Sequence, residues 1–157
     1  MRRRGRRRGG RAQAPLLLAL ALGCARPSGP PPVLDALFPE GRRTAALAAL
    51  ADAQVLAPGE DFRLREIGRD VHASHHLVWI RDREVPHRHD RHDLLVVILR
   101  GHGAMRLGDK ERPVGEGSIL WVPRGTPHAF RNASGEVAVA YAVYTPAFEP
   151  PDRVVVE

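Results

Sequence analysis

The sequence contains little cysteine, few aromatic residues and no long apolar run. Only one of its 157 residues is a cysteine, and aromatic side chains account for 5%. One thiol cannot form a disulfide within its own chain, so a folded domain here depends on its hydrophobic core. The apolar run Leu16–Leu22 falls far short of the roughly 20 residues of a membrane-spanning helix. Together with the length, these absences favour one globular domain with attached segments.

The net charge of the chain comes from its first residues. The formal charge is +6 and the sequence pI is about 10.8. Seven of the 24 basic residues are arginines within residues 1–23, which contain no acidic residue, so the remainder has 17 basic against 18 acidic residues. A nearly neutral domain offers no basic surface to phosphate backbones. We therefore expect no nucleic-acid partner for the folded part.

An arginine-rich start followed by apolar and then small residues is typical of a secretory signal peptide, and residues 1–23 fit this pattern. The run Leu20-Ala-Leu-Gly-Cys24 resembles the lipobox of bacterial lipoproteins, whose cysteine is acylated and begins the mature chain. The resemblance implies a lipid anchor at Cys24 and a position at the cell envelope, facing the periplasm or the cell exterior. The alternatives are an ordinary signal peptide with an incidental cysteine, or a basic tail that binds nucleic acid.

The rest of the chain divides into a spacer, a lead-in and a domain. Residues 24–32 are rich in proline, which cannot join a regular ladder, and this indicates an extended spacer. Residues 33–60 are the lead-in, where leucines at three-residue spacings and many alanines predict one or two short helices, over 33–38 and 42–53. Residues 61–157 form the predicted domain.

From residue 62 onward, short β-like runs are separated by Gly, Pro, Asp and Asn. The turn signals include residues 108–109, 115–117 and 132–135. Seven or eight short strands at this spacing predict an all-β sandwich or barrel rather than βαβ units. The candidate strands are residues 62–67, 75–81, 94–100, 104–107, 118–122, 128–131, 137–144 and 153–156.

Histidines are concentrated in one part of the chain. Six of the eight fall between residues 72 and 92, and three of these lie in Pro86-His-Arg-His-Asp-Arg-His-Asp93. In an extended chain His87 and His89 project from the same face, so the two imidazoles can bind one ion. A reactive metal site usually has three protein ligands and an open position, and His128 is the candidate third ligand.

The residues around His128 resemble the second sequence motif of the cupin superfamily. Residues 117–132 match G-x5-P-x-G-x2-H-x3-N at every defined position, and the stretch from His87 and His89 to Gly101 resembles the first motif. This resemblance implies a double-stranded β-helix, that is, a jelly-roll barrel, with a divalent metal ion in its mouth. The expected fold is therefore an all-β cupin barrel preceded by one or two short helices.

The first motif departs from the family pattern at its acidic ligand. Counting back from Gly101 places Leu94 where the family has a glutamate, and leucine cannot coordinate a metal. Aligning Asp93 with that glutamate instead places Arg100 at the family's glycine. Only one register can hold, because a slip of one residue turns every side chain to the opposite face. We prefer Leu94 in this slot, since alternate residues from Leu94 onward then form an inward apolar row.

This register predicts three neutral histidines, His87, His89 and His128, as the ligand set. His92 or Asp93 is then a fourth ligand or an acceptor that orients a ligand imidazole. The resemblance allows a site without a carboxylate, because thiol dioxygenases and some diketone- and gentisate-cleaving cupins hold Fe(II) with three histidines. Imidazole also binds Zn, Ni and Cu. We expect a divalent ion, with Fe(II) favoured over Zn, Ni, Mn or Cu.

Two functions from different classes follow from this reading. As an enzyme, the chain would bind a small organic substrate, with O₂ or water at the open positions of the ion, and act as an oxygenase before an isomerase or lyase. As a non-catalytic module, it would capture a small ligand or a metal at the membrane surface, and a barrel that has lost its metal would be a scaffold. The expected partners are a small molecule, the membrane through the lipid anchor alone, and a second copy in a homodimer.

Overall fold

The structure, a computed structural model, describes residues 33–53 and 56–156. The predicted signal peptide, Cys24 and the spacer lie outside the described residues. In the part that is described, strands dominate and one helix is present, α1 (Leu47–Asp52). No helix in this part is long and apolar enough to cross a membrane.

Short antiparallel strands make up nearly all of the regular structure. They are β1 (Val33–Phe38), β2 (Gly41–Ala46), β3 (Phe62–Arg69), β4 (Ser74–Ile80), β5 (His87–Arg88), β6 (Asp93–Arg100), β7 (His102–Leu107), β8 (Lys110–Gly115), β9 (Ile119–Val122), β10 (His128–Asn132), β11 (Ala138–Thr145) and β12 (Val154–Val155).

Two five-stranded sheets form the barrel. One has the order β12-β5-β10-β7-β8 and the other the order β3-β4-β11-β6-β9. Sequential strands repeatedly fall in opposite sheets, which is the winding of a jelly roll. The predicted all-β jelly-roll fold is confirmed.

The core lies between the two sheets because alternate residues of each strand point inward. Leu94 and Ile98 of β6 are 5% and 4% exposed, and they pack with Val78 of β4 on the same sheet. Met105 of β7 and Phe130 of β10 meet them from the opposite sheet. Apolar side chains therefore fill the barrel interior.

Strand β8 was not among the strands predicted from the sequence. Its residues are mostly exposed and include Pro113, so the hydrophobic alternation that marks a half-buried strand is missing. β8 lies at the edge of its sheet, where proline is tolerated because its missing N–H is not needed by a neighbour.

In the lead-in, the structure differs from the predicted helices. Residues 33–38 form β1, not a helix, and β2 takes the first part of the second predicted helix, so that only Leu47–Asp52 is helical. Burial in β1 alternates with period two: Phe38 is buried while Leu37 is 83% exposed. The leucine spacing therefore did not mark one helical face. Pairing across the hairpin is reinforced by Arg42, whose Nε donates to Asp35 Oδ1 at 2.8 Å.

The lead-in covers the outer face of the second sheet. Trp79 of β4 points away from the barrel interior, and its Nε1 donates to the Ala51 carbonyl of α1 at 3.0 Å. Phe38 packs on the His75 ring at a centroid distance of 5.5 Å and lies directly over Gly68, where a Cβ would overlap the Phe38 ring. β4 is consequently buried on both faces.

Candidate metal centre

Strand pairing brings the three predicted ligand histidines together. His87 of β5 is the direct antiparallel partner of His128 in β10, and their ring centroids are 4.3 Å apart. His89 lies two residues beyond His87, with ring centroids 5.1 Å from His87 and 5.3 Å from His128. One ring nitrogen from each residue lies within 4.8 Å of the others. These distances allow all three to bind one ion.

The link between the two motifs also involves the backbone. The Gly125 N–H donates to the His89 carbonyl at 2.6 Å, which ties the segment after β5 to the turn before β10. Gly125 has a φ of 77°, a left-handed conformation that glycine adopts without the strain of a Cβ. The motif glycine therefore helps to set the distance of His89 from His128.

In all three histidines, a hydrogen bond occupies Nδ1 and leaves Nε2 available to bind a metal. The Nδ1 atoms of His87 and His128 lie 2.9 Å and 3.0 Å from the carbonyl oxygens of Val85 and Thr126, and Nδ1 of His89 is bonded to the Asp152 carbonyl. A carbonyl oxygen only accepts, so each Nδ1 carries the proton and each Nε2 keeps its lone pair.

Two further contacts bear on this arrangement. Arg153 Nη2 lies 3.4 Å from Nδ1 of His87, but the carbonyl contact of that nitrogen is shorter and sets the tautomer. Among the described residues, Nε2 of His89 is buried with no hydrogen-bond partner. An orphaned buried acceptor is costly unless something binds it, so this donor set fits a metal ion.

Burial keeps the cluster neutral. It lowers the pKa of His87 to about 3, with the neighbouring His128 and Arg153 lowering it further. It also lowers the pKa of His128 to about 4 and lowers that of His89, although the hydrogen bonds of these rings to carbonyl oxygens oppose the shift. Neutral imidazoles are the form that binds metals, so all three are ready as ligands at neutral pH.

Leu94 and Asp93 face opposite ways. Leu94 is buried in the barrel core beside the cluster, whereas Asp93 Oδ2 pairs with Arg124 Nη2 at 2.7 Å away from it. Asp93 Oδ1 also accepts the Arg124 backbone N–H at 2.9 Å. The hydrogen bonds from Arg124 lower the pKa of Asp93. Asp93 thus lies outside the three-histidine group, whereas Leu94 lines the same cavity as the histidines, which is the orientation that the preferred register predicts.

His92 is buried but also lies outside the three-histidine group. Its Nδ1 is bonded to the carboxylate of Asp152, a residue 4% exposed near the C-terminus. The same carboxylate accepts the backbone N–H of Asp90 at 3.0 Å and that of Arg91 at 3.2 Å. Asp152 therefore holds the segment that follows His89, and its carbonyl is the acceptor that orients the His89 ring.

A cavity of about 90 Å³ opens beside the histidine cluster. Apolar side chains line most of it, and three polar groups besides the histidines reach it: Glu84, Tyr144 and Arg153. Burial raises the pKa of Glu84 to about 7, although the Phe130 N–H and the charge of Arg153 oppose the rise. Burial also raises the pKa of Tyr144, so its hydroxyl stays protonated.

Sequence reasoning did not single out Glu84, Asp152 or Arg153. Glu84 lies an odd number of residues before His87, so strand periodicity assigns it to the opposite face. Asp152 and Arg153 follow a proline pair in the last residues of the chain, where no motif marks them. A cue for Glu84 was available in Pro86, since a proline between them interrupts regular strand geometry.

Comparison with known proteins supports the fold and the family. The family described as Cupin domain matches residues 76–144, which include all three clustered histidines. An uncharacterized protein of Aquifex aeolicus (strain VF5) is 34% identical over 98 residues, which are 62% of this chain and 80% of that protein.

Solved structures share the barrel at low sequence identity. TT1209 from Thermus thermophilus has a TM-score of 0.56 and 22% identity, over 63% of this chain and 95% of that one. An uncharacterized protein with a double-stranded β-helix domain from Klebsiella pneumoniae has a TM-score of 0.58 and 14% identity, over 68% and 93%. Streptomyces Pac13 with uridine has a TM-score of 0.54 and 19% identity, over 61% and 78%. The match of residues 76–144 to the Cupin domain family, together with the barrel topology, supports the assignment of this region to the cupin superfamily.

Proposed function

We propose that this chain is a metal-dependent cupin in which His87, His89 and His128 bind one divalent ion and the adjoining cavity binds a small organic molecule. The observation that carries the proposal is the common orientation of the three imidazoles. Each Nδ1 is bonded to a backbone carbonyl, which leaves the Nε2 lone pair of each buried histidine for a metal, and one ring nitrogen of each lies within 4.8 Å of the others. A bound ion would polarise a carbonyl or hydroxyl group of the ligand.

The ligand set bears on the choice of metal. Three neutral imidazoles suit Fe, Zn, Ni and Cu, whereas Mn prefers the carboxylate oxygens that this cluster lacks. Fe(II) is our first choice because the sequence resembles cupins that hold it with three histidines. An oxygenase reaction then stays a prediction, checked by O₂ uptake of the Fe(II)-loaded protein with thiols, diketones and phenolic acids.

Metal content of single variants tests the proposed site. Protein purified without an affinity tag should contain one metal per chain by elemental analysis, and His87→Ala and His128→Ala should each lose it. His76→Ala is the matched control, because His76 is also a buried histidine but bonds to Ser74 Oγ at 2.9 Å outside the cluster. Full metal retention in His128→Ala would refute the assignment.

The second candidate function is a non-catalytic module that captures a small ligand. The mainly apolar lining of the cavity favours it, since ligand sites are commonly apolar with few polar groups. Pac13 was solved with uridine and is described as a nucleoside dehydratase, and KdgF of a Halomonas species shares the fold at 20% identity and a TM-score of 0.54. At such identities these proteins bear on the fold, and small-molecule turnover distinguishes the two functions.

A tether to the cell envelope is part of the same proposal. Its support is the lipobox-like run that ends at Cys24, with the arginine-rich residues before it. Metabolic labelling with a palmitate analogue should mark the wild-type chain and not Cys24→Ala. An unlabelled wild-type chain would rule out the anchor, and gel filtration of the folded domain would test the predicted homodimer.

A further inference from the structure

Glu84 is the one carboxylate that lines the cavity in the described part of the chain. It lies three residues before His87 and opposite Phe130, two residues after His128 in β10. Its backbone N–H donates to the Phe130 carbonyl at 2.9 Å, and its Oε2 accepts the Phe130 N–H at 3.1 Å. The carboxylate is therefore fixed against the same strand that carries a metal-site histidine.

No strong partner neutralises this carboxylate. In residues 33–53 and 56–156, the salt bridges found do not include Glu84, and its side chain relies on the Phe130 N–H alone. Most surface carboxylates of this chain pair with arginine, as Glu111 does with Arg131 at 3.4 Å. A lone carboxyl group in an apolar cavity is a common feature of residues that move protons.

Arg153 supplies a positive charge at the edge of the same cavity. Its Nη2 lies 3.3 Å from the Val85 carbonyl, and its guanidinium lies over the Phe62 ring, 5.5 Å from the centroid. The described residues provide no carboxylate in a salt bridge with it. A planar guanidinium held beside a cavity without an acidic partner is suited to an incoming carboxylate.

The size of the cavity limits the ligand. A volume of about 90 Å³ equals that of about three water molecules in the liquid, so only a very small organic ligand fits, such as a three-carbon oxo acid. Such a molecule has a carboxylate for Arg153 and a carbonyl oxygen for the histidine cluster.

We propose that Glu84 is the proton-transfer residue of this site and that the ligand is a short-chain 2-oxo acid whose carboxylate binds Arg153. This inference rests on the proposed function, because it places the carbonyl oxygen of the ligand at the three-histidine cluster. The reaction class of the site is then proton abstraction from the carbon next to a carbonyl group, as in isomerases and lyases.

The chemistry needs no oxidant or reductant. A C–H bond next to the carbonyl breaks, its proton moves to a Glu84 carboxylate oxygen, and its electron pair forms a C=C bond while the carbonyl π pair moves to oxygen. The Glu84 proton then exchanges with solvent, and the reverse step returns a solvent-derived proton to carbon. With a pKa of about 7, Glu84 is partly ionised at neutral pH, which suits a group that both takes and gives a proton.

Hydrogen–deuterium exchange of pyruvate in D₂O tests this step. The full chain is loaded with Zn²⁺, which has no redox chemistry of its own, and the loss of the pyruvate methyl signal is followed by ¹H NMR. Wild type should exchange the methyl protons faster than free Zn²⁺ does, and Glu84→Gln should be at least about 100-fold slower in kcat. Gln keeps an oxygen for the Phe130 N–H, so its Tm and zinc content should match wild type. Glu111→Gln, an exposed glutamate, is the control and should exchange at the wild-type rate.

A second measurement does not depend on turnover. In metal-free protein, ¹³C NMR of labelled glutamate carboxyls should show one group titrating near pH 7 that is absent in Glu84→Gln. Arg153→Gln should raise KM for pyruvate and leave kcat within a few-fold of wild type.

The outcomes separate this inference from the function on which it rests. Exchange at the wild-type rate in Glu84→Gln, or a Glu84 carboxyl that titrates in the ordinary range, would overturn the role of Glu84. Wild-type protein that binds one zinc but exchanges no faster than free Zn²⁺ would overturn it too, with the metal site intact. A wild-type chain that binds no metal would overturn the proposed function itself, and this inference with it.

Discussion

Replacing Asp152 by asparagine should destabilise the domain and weaken its metal site. The Asp152 side chain is almost completely buried, and its carboxylate receives three donors: the N–H groups of Asp90 and Arg91 and the Nδ1–H of His92. Asparagine presents one oxygen and one NH₂ group at the same place. At least one donor therefore faces another donor instead of an acceptor.

A change of tautomer at His92 does not remove this cost. If His92 moves its proton to Nε2, that nitrogen can donate to the Ala147 carbonyl at 3.3 Å, but it no longer accepts the Glu149 N–H at 3.3 Å. Either way, one polar hydrogen loses its partner. An unsatisfied buried group costs about 1–3 kcal/mol, so we expect a loss of about 2 kcal/mol, which corresponds to a Tm lower by about 8 °C for a domain of this size.

The assay is thermal unfolding of the metal-free Asp152→Asn protein, followed by a metal titration. Asparagine keeps the backbone carbonyl that orients the His89 ring. Loss of a side-chain bond loosens the segment that carries this carbonyl, so we expect metal binding to weaken by at most about 10-fold. Asp90→Asn is the control: Asp90 pairs with Arg88 at 2.7 Å on the surface, and such pairs contribute at most about 1 kcal/mol. A Tm and metal affinity for Asp152→Asn equal to those of the control would refute the reasoning.

Three further predictions concern the cluster and the lead-in. Burial lowers the pKa of His87 to about 3 and that of His128 to about 4. Below pH 6.5, the ordinary pKa of histidine, these two side chains therefore bind more protons in the unfolded chain than in the folded one. Glu84 titrates with the opposite effect over this range because its pKa is raised to about 7, so the measurement uses metal-free Glu84→Gln. Its stability in urea unfolding should fall from pH 6.5 towards pH 4 and be insensitive to these histidines above pH 7; equal stability at pH 5 and pH 7 would contradict the burial argument. Leu94→Glu should place a carboxylate beside the histidines, lower the Tm of metal-free protein and tighten metal binding in a titration, whereas unchanged affinity would mean that this position does not face the ion. Gly68→Ala should push a methyl group into the Phe38 ring and cost about 1–3 kcal/mol in urea unfolding with metal content unchanged; a loss of metal would show that the lead-in shapes the site.

Short-range patterns in the sequence were sufficient for the barrel. Turn residues and period-two alternation placed most strands to within a residue or two, because a strand with one buried face repeats its pattern locally. The same reasoning placed His87 and His89 on one side of an extended segment, and the motif around Gly125 and His128 identified the third histidine. Inward-facing Leu94 followed from the apolar row that begins there.

The tertiary structure decided what depends on distant partners. Residues 33–38 pair with residues 41–46 and cover the outer face of a sheet, and this docking overrides a leucine spacing that suits a helix. Asp152 acts on His89 across more than sixty residues of chain, and Glu84 and Arg153 meet only at the cavity. The sequence by itself thus determined the all-β fold and the histidines that can converge. Only the folded chain decided which ring nitrogen each offers and which charged groups share their cavity, because hydrogen-bond partners and burial arise from contacts between segments far apart in sequence.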